Sequence, residues 1–155
     1  MEFDENENFD EQQGDAVEIY SRAAILWFSI LADPLIGGIL LIINLWVVGY
    51  KKAIAPIIIF LIVFEALIST VEYWFINNFH LNVAKIDIND TQVRNDMLLM
   101  MGVTKSLQIV GALILTRYFY KKYFPDNDYY PKSIVHPLII TVFIMFALQY
   151  LGFSF

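Results

Sequence analysis

Four apolar blocks dominate this chain. They cover residues 23–48, 53–76, 97–116 and 134–153. Each is close to the roughly 20 residues that a helix needs to cross the hydrocarbon core of a bilayer. A soluble helical protein of this length would carry polar stripes at 3.6-residue spacing along such blocks, and these blocks largely lack them. Hydrophobic residues make up 58% of the chain, charged residues 17%, and the mean hydropathy is +0.57. A soluble domain is typically about 45–50% apolar and about 25% charged. The expected fold is therefore an all-α integral membrane bundle of four transmembrane helices, arranged as two helical hairpins.

What remains outside the blocks is polar and unevenly charged. Residues 1–22 hold Glu2, Asp4, Glu5, Glu7, Asp10, Glu11, Asp15 and Glu18 against Arg22 alone, which exceeds the whole net charge of -6. A segment so acidic and so poor in apolar residues reads as a disordered tail. It is not expected to be a secretory signal, which would begin with positive charge. The chain has no cysteine and only His80 and His136, so disulfides, thiolate metal sites and cysteine nucleophiles are excluded and no metal is expected. There is no phosphate-binding glycine loop, dinucleotide fingerprint, nucleophile elbow or zinc-protease motif. The expectation is a protein that is not an enzyme, carries no cofactor and binds no nucleic acid.

Within the first block, Asp33-Pro34 interrupts the aliphatic run and is read as a kink, since proline removes one helical hydrogen bond. Gly37 and Gly38 offer a surface for close helix packing, and Asn44 reads as an interhelical polar contact. In the second block Pro56 lies in the first turn, where proline is tolerated. The third block continues into RYFYKK, an aromatic and basic interfacial collar able to touch anionic headgroups. Lys51 and Lys52 in the first loop, with Arg117, Lys121, Lys122 and Lys132 around the third, outnumber Arg22, Lys85 and Arg94. Basic loops favour the cytoplasm. Four spans then put loops one and three inside, and both termini with residues 77–96 outside.

The charges inside the blocks carry the functional question. Glu65 sits in FLIVFEALISTVEYWF, with Ser69 four and Glu72 seven residues on, so all three share one helix face. Lys105, in MGVTKSLQIVG, has Thr104, Gln108 and Gly111 beside it at helical spacing. Asp33 is the third interior charge. Carboxylates facing hydrocarbon cost several kcal/mol, so this polar set should face protein. At 1.5 Å per residue Asp33, Glu65 and Lys105 each fall roughly 12–17 Å from the outer ends of their spans, near mid-membrane. The expected pairing is Glu65 with Lys105, directly or through water, with Asp33 as second claimant. One ammonium among several carboxylates leaves negative charge in excess, an arrangement that serves a structural clasp or a proton relay.

Two weaker signals lie in the polar loop. Asn89-Asp90-Thr91 matches a glycosylation pattern, but Asp90 or Thr91 more simply caps a helix start. The carboxylates Asp87, Asp90 and Asp96 match no calcium-loop spacing.

The stretch EIYSRAAILWFSILADPLIGGILLIINLWVVGYKKA resembles a segment of small multipass inner-membrane proteins of Bacteroidetes-type bacteria. The matching residues are Tyr20, Ser21, Pro34, Leu35, Gly37, Gly38, Asn44, Gly49 and Lys51, within residues 18–53. The resemblance implies a bacterial inner-membrane location and no particular activity; Asp33 stands where a small uncharged residue is expected. The leading reading of function is the first of three, and the other two are alternatives to it. The first is a non-enzymatic scaffold that binds other transmembrane helices, whether a protein partner or a further copy of itself, in the lipid bilayer. The second is an oligomeric channel or proton-coupled transporter built on the intramembrane charges. The third is a bacterial defence or toxin-immunity membrane protein.

Overall fold

A computed structural model describes residues 17–79, 90–125 and 129–150. The described chain is helical apart from one short bridge. Helix α1 spans Arg22–Leu31, α2 Pro34–Val48, α3 Ile54–Asn78 and α4 Thr91–Leu113. Helix α4 runs on through a π-helical segment, Ile114–Tyr120, into Lys121–Tyr123. Helix α5 spans Val135–Tyr150. Strands β1, Glu18–Ile19, and β2, Tyr130–Pro131, pair in parallel.

The all-α expectation holds, and two helices are long and apolar enough to cross a membrane, Lys51–Asn78 and Thr91–Tyr123. The expectation of a transmembrane helix over residues 23–48 does not hold. That block forms two helices folded back on each other. Ala32 ends α1, with its N–H bonded to the Phe28 carbonyl. Asp33 then adopts an extended backbone, its carboxylate accepts from the Leu35 N–H at 2.7 Å, and Pro34 takes the first helical position. An N-cap aspartate followed by proline is how a helix begins, so Asp33-Pro34 starts a new helix rather than bending the old one.

Contacts show the reversal. A Cβ on Gly37 would sit 2.8 Å from the Ile25 carbonyl oxygen and 1.8 Å from Ser29 Oγ. Further from the tip, Asn44 Oδ1 accepts from the Tyr20 N–H at 2.8 Å and its Nδ2 donates to the Tyr20 carbonyl at 2.7 Å. Partners thus move away from residue 32 in step, as in an antiparallel hairpin. The hairpin leans on α3 through Gly38, where a Cβ would meet Leu61 Cδ1 at 2.5 Å, and α3 meets α4 at Gly111, where a Cβ would meet the Phe64 ring at 2.5 Å. These glycines permit the close backbone approach that helix packing in lipid uses.

The core sits at the open end of the hairpin. Ile25, Leu41, Leu45, Ile57 and Leu115 are fully buried there, joined by Ile19, Tyr20 and Tyr120. The π-helical turns bury Leu115, Thr116, Phe119 and Tyr120 together. Residues 1–16 of the expected acidic tail lie outside the described residues. Its last part is not a disordered tail: Ile19 and Tyr20 are buried, and β1 fixes the backbone beside β2. The Lys132 N–H bonds to the Ile19 carbonyl at 2.8 Å, and the Tyr50 ring lies 6.5 Å from that of Tyr123. Residues 18–20, 49–53, 120–125 and 129–132 therefore share one end of the molecule. Residues 18–20 therefore lie at the same end as the first and third connections, not at the opposite end as the four-span reading expects.

Of the fourth block, α5 covers 16 residues, and residues 151–153 lie outside the described part.

Candidate intramembrane polar site

The hairpin has a defined depth. Helix α2, with 15 residues, is about 22 Å long, whereas α3, with 25, is about 37 Å long. Both start from the same end through the turn at Lys51–Ala53. The tip at Asp33 therefore stops roughly 15 Å short of the far end of α3. Glu65 is eleven residues into α3, about 16 Å deep, and Glu72 about 27 Å deep, so they bracket the tip.

The side chains meet there. Asp33 divides its carboxylate: Oδ1 caps α2, and Oδ2 accepts from Gln108 Nε2 of α4 at 3.3 Å. Gln108 Oε1 in turn accepts from Lys105 Nζ at 2.7 Å. On the α3 side, the Glu65 carboxyl lies against that of Asp33, and Glu72 is within electrostatic range of Asp33. Glu65 Oε1 is buried and has no hydrogen-bond partner among the described residues. Asp33, Glu65, Glu72 and Gln108 are all half-buried, neither sealed in a dry core nor fully in solvent. One tip residue thus links α3 to α4 through polar groups.

The predicted set is brought together in part. Asp33, Glu65, Glu72, Gln108 and, through Gln108, Lys105 form one cluster. Ser69 is exposed and makes no hydrogen bond to it among the described residues. The expected direct ion pair between Glu65 and Lys105 is not formed. Gln108 lies one turn along the same helix and offers Lys105 a nearer oxygen, while Asp33 stands between α4 and Glu65. Lys105 itself is exposed. Gly37 and Gly38 lie at helix crossings, whereas Asn44 bonds the backbone of Tyr20, before α1 begins, so its contact is not between helices.

Sequence reasoning overlooked Gly111 as a helix-crossing position, placing it only beside the polar seam. The signal was its spacing, nine residues after Gly102 on a helix whose exposed glycine has no neighbour within 4 Å.

Among the described residues, no group of three or more His, Asp or Glu side chains is disposed to hold a metal ion. Asp90 caps α4 by accepting from the Gln92 N–H at 2.8 Å, as its position suggested. Asp87, Asn89 and His80 lie outside the described residues. Comparison with protein-family models, with curated proteins and with solved structures finds no match to this chain.

Proposed function

We propose that this chain is a non-enzymatic integral membrane protein whose working part is the acidic tip of a re-entrant hairpin, exchanging protons within an oligomeric channel or proton-coupled transporter. The observation that carries this reading is the Glu65 carboxyl lying against that of Asp33, with Glu72 within electrostatic range, at a helix break about 15 Å short of the far end of α3. Broken helices ending at membrane depth recur at transport sites, because backbone groups freed by the break are tolerated only inside protein or beside water. Ionisable residues at that depth are expensive and are typically functional. Two carboxyl groups in contact can hold one proton between them, and a third within range can receive it. Three or four elements are too few to enclose a path, so several copies supply its walls.

The hairpin also strengthens the assignment of sides. Moving Arg22 to the end that carries Lys51, Lys52, Arg117, Lys121, Lys122 and Lys132 makes that group seven, against Lys85 and Arg94 in the sequence between α3 and α4. The basic end is then cytoplasmic, and the carboxyl cluster opens toward the other side. The membrane is the bacterial inner membrane, on the resemblance of residues 18–53.

The test is proton flux into proteoliposomes carrying a trapped pH dye under an imposed potential. Wild-type protein is expected to conduct above protein-free vesicles, Glu65→Gln to fall to their level, and Trp74→Phe, at an exposed ring near the end of α3, to conduct as wild type. Wild-type vesicles no leakier than empty ones would contradict the proposal, as would full flux through Glu65→Gln.

A second reading, a scaffold that binds other membrane helices, is favoured by the outward face of α4. Lys105 and Ser106 are exposed there, beside an open apolar groove lined by Leu98, Gly102 and Val110. A lysine facing lipid costs about 3 kcal/mol on the insertion scale, a cost that a covering helix removes. A partner copurifying in fixed stoichiometry with a flux-silent protein would select this reading.

A further inference from the structure

The end of the molecule opposite the hairpin tip carries a concentration of positive charge that the carboxyl cluster does not use. Lys51 and Lys52 stand in the turn before α3, Arg117, Lys121 and Lys122 in the last turns of α4, and Lys132 just after β2. All are exposed except Lys132, which is half-buried. The pairing of β1 with β2 and the stacking of Tyr50 on Tyr123 and Phe124 bring these separate segments to one rim. Among the described residues, Glu18 is the acid at this end.

Three of these cations rest on aromatic rings. Lys51 Nζ lies 5.1 Å from the Trp46 ring centroid. Lys122 Nζ lies 5.8 Å from the Tyr118 centroid and 5.5 Å from that of Tyr123. Lys132 Nζ lies 5.5 Å from Tyr20. These are cation–π distances. Trp46 and Tyr118 are 62% and 59% exposed, on the outer surface of the helices that enter the bilayer. Exposed Trp and Tyr rings at helix ends sit at the level of lipid headgroups. An ammonium resting on such a ring is set at the height of the phosphates, with its N–H groups free to donate to them.

We infer that this rim is a multivalent binding surface for anionic phospholipid headgroups, with the lipid phosphate as the group recognised. The basic loops contribute the charge, and the aromatic rings set its depth. Each lysine or arginine near an anionic surface contributes roughly fivefold in affinity.

The experiment uses the full-length chain in mixed micelles containing equal amounts of phosphatidylglycerol and phosphatidylcholine, with retained lipids counted by native mass spectrometry. Wild-type protein is expected to retain phosphatidylglycerol several-fold over phosphatidylcholine. Lys121→Gln with Lys122→Gln is expected to bring that preference close to parity, since two charges at roughly fivefold each outweigh a several-fold preference. Lys51→Gln with Lys52→Gln should act in the same direction, and Arg94→Gln, at the start of α4, should leave the preference unchanged. These side chains are exposed, so the variants retain the core. Equal retention of both lipids by wild type, or an undiminished preference in both double variants, would overturn the inference. So would loss of the preference on adding millimolar inorganic phosphate, which would show a site for free anions rather than for lipid.

Discussion

Gly37→Leu is expected to destabilise the folded state more than any other single change considered. Its Cβ alone would lie 1.8 Å from Ser29 Oγ and 2.8 Å from the backbone oxygen of Ile25. Ser29 can be trimmed, but a carbonyl in the middle of α1 cannot move without moving the helix. Overpacking of a close contact costs about 1–3 kcal/mol in ordinary cores, and here the remaining branches of leucine must enter space held by backbone. The loss should reach roughly 3 kcal/mol or more, enough to exhaust much of a marginal stability. The checking measurement is the denaturation midpoint in detergent, compared with Gly102→Leu. Among the described residues, a Cβ at position 102 meets no atom within 4 Å beyond its own stretch of helix, so that variant should unfold where wild type does. Gly37→Ala combined with Ser29→Gly should recover part of the loss and no more, because the Ile25 carbonyl stays. Equal midpoints for Gly37→Leu and Gly102→Leu would mean that α1 and α2 do not pack back on each other.

Asn44→Leu is expected to have the second-largest effect. Asn44 is 1% exposed, and its amide answers both polar groups of the Tyr20 backbone, 24 residues away. Leucine preserves the volume and removes both partners. A buried backbone group left without a partner costs about 1–3 kcal/mol, so the pair costs roughly 2–6 kcal/mol. The chain can avoid part of this by letting Tyr20 swing out to water, which also frees β1 from β2. Amide hydrogen exchange at Ile19 and Tyr20 should then rise by two or more orders of magnitude, as ~1.4 kcal/mol corresponds to tenfold. Exchange in the middle of α3 should change less. Asn44→Asp keeps the acceptor for the Tyr20 N–H but loses the donor, and should fall between the two.

Much of this molecule was legible in its residues, and the part that was not has a definite physical cause. Composition and block length identified an all-helical chain, and two of its helices are long and apolar enough to cross a membrane. Spacing was enough to put Glu65 and Glu72 on one face of α3 and Gln108 beside Lys105 on α4. The first block misled because length alone cannot distinguish one 26-residue helix from two short ones with a two-residue turn. Asp33-Pro34 carried the distinction, as an N-cap and first-turn pair, but the same residues also describe a kink. The direct Glu65–Lys105 pair was inferred from depth alone. Depth does not say what stands between two helices, and the hairpin puts Asp33 there. Gly37 and Gly38 were recognised as packing positions, yet nothing in one sequence says that Gly37 meets its own neighbouring helix and Gly38 the next one. The number of crossings followed from the first block, and with it the side on which the chain begins.

Everything proposed about the site depends on residues 23–48 turning back inside the membrane. The chain contains no cysteine, so single cysteines can be placed at Val17, Lys52, Asn78 and Lys132 and tested with a membrane-impermeant maleimide in vesicles of one orientation. A re-entrant hairpin predicts that positions 17, 52 and 132 are labelled from the same face and position 78 from the other. Labelling of position 17 together with position 78, opposite 52 and 132, would show that the first block crosses the bilayer and would contradict the hairpin.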